Sequence, residues 1–143
     1  MAQCLIMQNL KLTSVFYVAL GGSLGASSRY ALGILLQQWM PYYPWGTLSV
    51  NVLGSFCAGI LLGLSLFHAP PHSTWMLFAM TGFLGSFTTF SAFGYEVHHL
   101  WWQSRRLAAM VHVLANLGGA LVAVALGMLC VALWLKATGS AAS

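Results

Sequence analysis

Four long apolar stretches, divided by three short connections, exclude a water-soluble fold for this chain. By hydropathy they run over residues 13–39, 46–67, 74–100 and 107–135. Each can supply the roughly 20 apolar residues that a bilayer crossing needs. Charge is too scarce to build a wetted surface: 59% of residues are hydrophobic and 4% are charged, where a soluble domain carries about 25% charged residues. The charges are Lys11, Arg29, Glu96, Arg105, Arg106 and Lys136. Lipid must cover most of the outside. The expected architecture is one all-α membrane domain with four transmembrane helices.

Pro41-Tyr42-Tyr43-Pro44 and Pro70-Pro71 mark the first two connections. The third is Trp101-Trp102-Gln103-Ser104-Arg105-Arg106, whose tryptophans suit the headgroup level. The basic excess gives no nucleic-acid stripe, because Arg105-Arg106 is its longest run. Cys4, Cys57 and Cys130 are odd in number and far apart, without metal or disulfide spacing. No basic stretch precedes the first apolar run, so no cleaved leader is expected. Four spans put Lys11 and Lys136 on one side and Arg105 and Arg106 on the other. Two against two sets no orientation by the positive-inside rule. Either the α-amino group or a histidine tips the balance, or the chain inserts both ways.

Small residues four apart, Gly21 with Gly25, Gly59 with Gly63 and Ala115 with Gly119, suit close helix packing. Polar residues inside the spans are functional candidates, because lipid cannot satisfy them. Thr47, Asn51 and Ser55 share one face of the second span, and His112 and Asn116 share one face of the fourth. These tracks either grip the bundle together or line one pathway. In the third span, Gly82 and Gly85 are poor helix formers and Ser86, Thr88, Thr89 and Ser91 compete for backbone hydrogen bonds. A helix break near Gly85–Thr88 is one reading; an intact helix with its hydroxyls bonded back is the other. Phe90 and Phe93 lie three apart on a face that also carries Ser86, Thr89 and Glu96. Phenyl edges are electropositive and suit a small anion. Arg29, within the first span, either bonds carbonyls at a helix end or draws anions toward a vestibule.

Three stretches then carry a resemblance. They are Gly21-Gly22-Ser23-Leu24-Gly25-Ala26 with Arg29-Tyr30, Gly46-Thr47-Leu48 with Val50-Asn51 and Gly54, and Thr81-Gly82-Phe83-Leu84-Gly85 running into Thr88-Thr89-Phe90-Ser91-Ala92-Phe93. The chain resembles the Fluc fluoride channels, also called the CrcB family, over nearly its whole length. The resemblance implies a passive, selective fluoride channel, not an enzyme, that exports cytoplasmic fluoride across the inner cell membrane. It implies an antiparallel, dual-topology homodimer in the lipid bilayer. It also implies a structural Na⁺ at the dimer centre, held by the backbone carbonyls of Gly85 and Thr88. On the fluoride pathway it places Asn51, Phe90, Phe93 and Ser91; Thr47, Thr89 and Asn116 join them from the polar tracks. Arg29 and Glu96 fall at the vestibule or pore mouth. Ala92 stands where the family often has Thr, and Asn116 where it often has Ser. His112 takes a pore-side position that is frequently aromatic.

Other classes share parts of this pattern. A small dual-topology multidrug exporter needs a membrane-embedded carboxylate, and Glu96 lies near the end of its span. A haem protein would have to use His98, His99 and His112. An assembly subunit would use the polar tracks only to grip a partner.

Overall fold

The apolar stretches fold as helices, the form in which a chain satisfies its own backbone within lipid. The computed structural model describes residues 12–39, 42–68 and 74–138. Lys11, Pro41, Pro70-Pro71 and the tail beyond 138 lie outside the described residues. Helix α1 spans Leu12–Trp39, α2 spans Trp45–His68, α4 spans Phe90–Trp102 and α5 spans Arg106–Ala137. Between α2 and α4, α3 (residues 74–87) is composite. A turn at Thr74–Met76 leads into a π-helical segment, Leu77–Leu84, and then a second α-turn, Gly85–Phe87. No strand occurs among the described residues.

Three stretches, Trp45–Leu66, Thr74–Trp102 and Arg106–Ala137, are long and apolar enough to cross a membrane. The 28 residues of α1 extend ~42 Å at the usual helical rise. Arg29, Gln37 and Gln38 lower its hydropathy. The protein is thus all-α with four helical passes, the third of them interrupted.

Helices pair through bare backbone. α1 lies mainly along α3, and α2 mainly along α5. A Cβ on Gly21 or Gly25 would overlap the carbonyl oxygens of Phe78 or Phe83. The widened π-helical turns therefore press their carbonyls against glycine. On the other side, a Cβ on Gly59 would overlap the Val124 carbonyl, and one on Gly127 that of Phe56. The small-residue pairs visible in the sequence thus set both main crossings, the mode available where lipid removes the hydrophobic drive between helices. A Cβ on Gly119 would lie 3.2 Å from a Val52 methyl group.

The α4–α5 connection closes as a Schellman turn. Arg105 N–H donates to Leu100 O and Ser104 N–H to Trp101 O, each at 3.0 Å. Ser104 takes the left-handed position that the turn requires, with φ 60°. Arg105 then donates from its guanidinium to Tyr42 O at 2.9 Å. This bond joins the α1–α2 and α4–α5 connections at one end of the bundle. Arg106 sits 5.5 Å above the Trp101 ring.

Replacing Gly25 with Ala is expected to destabilise the protein by about 1–3 kcal/mol, the usual cost of overpacking. Gly118→Ala has open space around the new Cβ and should cost nothing. Denaturant unfolding in detergent, followed by tryptophan fluorescence, checks both.

Candidate functional site

The third pass stops being helical at Thr88 and Thr89, whose backbones are extended (φ −78°, ψ 155° and φ −150°, ψ 122°). The interruption falls at the end of the window that the glycines and hydroxyls marked. Both sequence readings of that window are partly realised, because Thr88 Oγ1 also bonds back to Leu84 O at 3.0 Å.

An interruption inside lipid exposes backbone groups that water cannot reach. Asn51 satisfies those of Thr89. Its Oδ1 accepts Thr89 N–H at 2.8 Å, and its Nδ2 donates to Thr89 O at 3.1 Å. This reciprocal pair fixes which end of the amide is oxygen. Gly54, one turn along α2, makes the approach possible: a Cβ there would overlap the Thr88 methyl group. Thr89 also caps α4, its hydroxyl accepting Ala92 N–H at 3.2 Å. Ser91 Oγ lies 3.2 Å from the same hydroxyl.

These substitutions of partner leave two carbonyls without their helical donors. Thr89 N–H would close onto Gly85 O in an unbroken helix, but it donates to Asn51. Ala92 N–H would close onto Thr88 O, but it donates to Thr89 Oγ1. Gly85 and Thr88 are the two residues singled out as carbonyl ligands by the resemblance.

From Asn51 a line of hydrogen bonds crosses the bundle. Its second amide hydrogen goes to Asn116 Oδ1 at 3.0 Å. Asn116 donates back to His112 O at 3.1 Å. The His112 ring meets Glu96 through Nε2 and Oε2 at 3.1 Å. Thr47 donates its hydroxyl to Glu96 Oε1 at 2.6 Å. Tyr43 OH reaches His112 Nδ1 at 3.2 Å. His112 is fully buried and Asn116 nearly so. Among the described residues, His112 and Glu96 make the one contact within 4.0 Å between a basic and an acidic side chain.

Partners also indicate the protonation pattern. Burial and the Glu96 carboxylate raise the Tyr43 phenol above its ordinary value. Tyr43 therefore keeps its proton. The Glu96 carboxylate can only accept, so a neutral imidazole turns Nε2–H toward it and accepts the Tyr43 hydroxyl at Nδ1.

A cavity of about 1010 Å³ opens beside this line. It reaches from the Tyr42–Pro44 connection and Arg105 down to Thr89 and Ser91 at the break. Arg29, Thr47 and Glu96 line it. Arg29 is half-buried and makes no ion pair among the described residues.

Sequence spacing put Phe90 and Phe93 together, and their rings do meet edge to face, with centroids 5.3 Å apart. Their surroundings differ sharply. Phe93 is buried and packs on the His112 ring at 5.6 Å, whereas Phe90 is 74% exposed. Ser55, third in the α2 track, makes no side-chain hydrogen bond among the described residues. His98 and His99 sit at the exposed end of α4, bonded to Trp102 and Gln103. Tyr43 was legible only as part of a turn, although aromatic residues flanked by prolines at a span end could have marked it as a packing residue.

Residues 16–128 match the family described as CrcB-like protein, Camphor Resistance (CrcB). A relative from Sphingopyxis alaskensis, named fluoride-specific ion channel FluC, is 39% identical over 84% of this chain and 96% of its own length. A Legionella pneumophila protein of that name is 44% identical over 78% of this chain and 84% of its own. A third, from Saccharophagus degradans, is 45% identical over 69% of this chain and 74% of its own.

Asn51→Asp keeps size and shape but turns a double donor into an acceptor facing Thr89 O and Asn116 Oδ1. It is expected to destabilise the protein by about 2–4 kcal/mol, as buried polar groups lose their partners. Faster hydrogen exchange at the Thr89 amide than in the parent protein, measured by NMR in detergent, checks where the damage lies.

Proposed function

The chain belongs to the CrcB family and is a multi-pass membrane protein, and from that premise we propose that it is a passive, selective fluoride channel exporting the anion from the cytoplasm. The observation that carries the reading is the unbroken polar line from Thr89 to Glu96 beside an open cavity, inside a bundle that otherwise faces lipid.

Fluoride is small and strongly hydrated, so a pathway must replace its water with matched donors. Arg29 attracts the anion into the cavity by its charge, which meets no carboxylate within 4.0 Å among the described residues. At the break, the N-terminal end of α4 points positive partial charge into the membrane interior. Ser91, Thr89 and Thr47 line the cavity; Ser91 and Thr89 share one hydroxyl contact, which leaves one of their two hydrogens to offer, and Thr47 yields its hydrogen from Glu96 only by exchange. Phe90 and Phe93 offer ring edges beyond them. Asn51 and Asn116 have their amide hydrogens engaged; they hold the line in register and yield donors only by exchange. Several modest contacts in sequence let an ion enter and also leave. Neutral HF that enters a cell dissociates at neutral pH, and a passive pore then releases the trapped anion along the membrane potential.

The functional unit is proposed to be an antiparallel homodimer inserted in both orientations. Phe90 supports this, since a large ring so exposed at the pathway calls for a covering surface. The Gly85 and Thr88 carbonyls, which have lost their helical donors, are neutral oxygen ligands of the kind that half-helix ends present to Na⁺. Two copies would supply four such oxygens. A bound Na⁺ would add a fixed positive charge beside the pathway and tie the two subunits together.

Liposomes containing the purified protein are expected to lose fluoride rapidly and to retain chloride, read with ion-selective electrodes. Phe90→Ile and Phe93→Ile are each expected to slow fluoride loss about tenfold, equivalent to ~1.4 kcal/mol of barrier, while the dimer persists on size exclusion. Parental rates in both variants would remove the aromatic rings from the pathway. Purification with a bulky organic cation in place of Na⁺ is expected to shift the protein from dimer toward monomer on the same column.

A further inference from the structure

One fully buried histidine remains without a role in that scheme. His112 sits between the only carboxylate of the chain and a phenol at the cavity wall. Glu96 is the awkward group in an anion pathway. Its side chain is 24% exposed and lines the cavity. Thr47 donates to one oxygen of the carboxylate and His112 Nε2–H faces the other. Held this way, the carboxylate opposes an incoming anion.

We propose that His112 is a positioning residue that sets the charge of this gate: neutral, it leaves the Glu96 carboxylate to repel fluoride; protonated, it cancels that charge and admits the anion. The inference rests on the channel reading above. The added proton goes to Nδ1, and the Tyr43 hydroxyl turns from donor to acceptor. Tyr43 lines the cavity, so water there can deliver the proton through its hydroxyl. Nε2–H stays on Glu96 throughout, so neither oxygen loses its donor. Only the charge changes, and in a dry setting one unit of charge is strongly felt.

The groups that face the imidazole are few. Glu96 approaches from α4 and Tyr43 from the α1–α2 connection, while Asn116 of its own helix is uncharged. From α2, Thr47 and Asn51 carry no charge and meet Glu96 and Asn116 respectively. Phe93 packs on the ring. Arg29, His99 and Arg105 share the cavity, and His99 is the second imidazole that the test must separate from His112.

The test is fluoride current across planar bilayers, with equal fluoride on both sides and pH varied from about 5 to about 8, the range in which a histidine changes charge. Current excludes neutral HF, which carries none. The parent protein is expected to pass at least about threefold more current at the acid end than at the alkaline end. His112→Gln is expected to abolish that dependence, and His99→Gln to preserve it. Should His112→Gln fail to assemble, Glu96→Gln serves as the second variant; it is expected to conduct at the acid-end level at every pH. A flat pH profile in the parent overturns the inference, as does a parental profile persisting in His112→Gln or Glu96→Gln. Absence of fluoride current at any pH instead defeats the channel reading, and this inference falls with it.

Discussion

A helix that stops in the middle of a membrane must hand its backbone groups to something other than water. Here one asparagine takes that task. Asn51 receives the Thr89 N–H and donates to the Thr89 carbonyl, so the broken strand of the third pass is bonded as though to a neighbouring strand. The rest of the site depends on this. Because the backbone dictates which way the amide points, the second Nδ2 hydrogen must face Asn116. Asn116 in turn must present its oxygen to Asn51 and its nitrogen to the His112 carbonyl. A direction of donation is thereby imposed on the inner half of the line by one backbone geometry. The outer half is ordered from the cavity end, where Thr47 and the imidazole both donate to Glu96.

Such bonds form only if the helices come close, and glycine is what allows it. The α2–α5 crossing places Gly59 against the Val124 backbone and Gly127 against that of Phe56, and along the same pair of helices the Asn51 and Asn116 side chains meet at 3.0 Å. The α1–α3 crossing presses the widened turns of Leu77–Leu84 onto Gly21 and Gly25. Gly54 then admits the break itself, one turn from the asparagine that seals it. Packing and polarity are therefore a single design: where a Cβ would intrude, a buried polar group would lose its partner, and in lipid that loss is not recovered from water.

Much of this was legible in the chain, for physical reasons that differ from residue to residue. The four passes follow from apolar length alone. The tracks Thr47–Asn51 and His112–Asn116 follow from helical periodicity, and the structure brings both onto the same line. The break window followed from the low helix propensity of its glycines and hydroxyls. What could not be read was the pairing across helices, since periodicity says which residues share a face and not which face a neighbour meets. The π-helical turns of Leu77–Leu84, which lie against α1, leave no compositional trace. Tyr43 read as a turn residue, and its bond to His112, 69 positions away, is a fact of folding. Phe90 and Phe93 share a face by spacing, yet one is buried and the other open; the surface that would cover Phe90 is not supplied by this chain's described residues.

The degree to which the donors are already engaged bears on how an anion could pass. A site built from free amide hydrogens in a dry interior would bind fluoride tightly and hold it. On the proposed route, both Asn51 hydrogens have partners, and the Thr47 hydroxyl is given to Glu96. An arriving ion must take a donor from an existing bond, and the bond re-forms behind it. The net gain at each step is then the small difference between two hydrogen bonds rather than the whole of one. Small differences make shallow sites, and shallow sites in sequence favour conduction over retention. On the same proposal, exchange would disfavour a larger halide, whose weaker demand for donors would not offset the bonds it had to displace. Selectivity and throughput can thus come from one property of the line, that its donors are nearly all in use before the ion arrives.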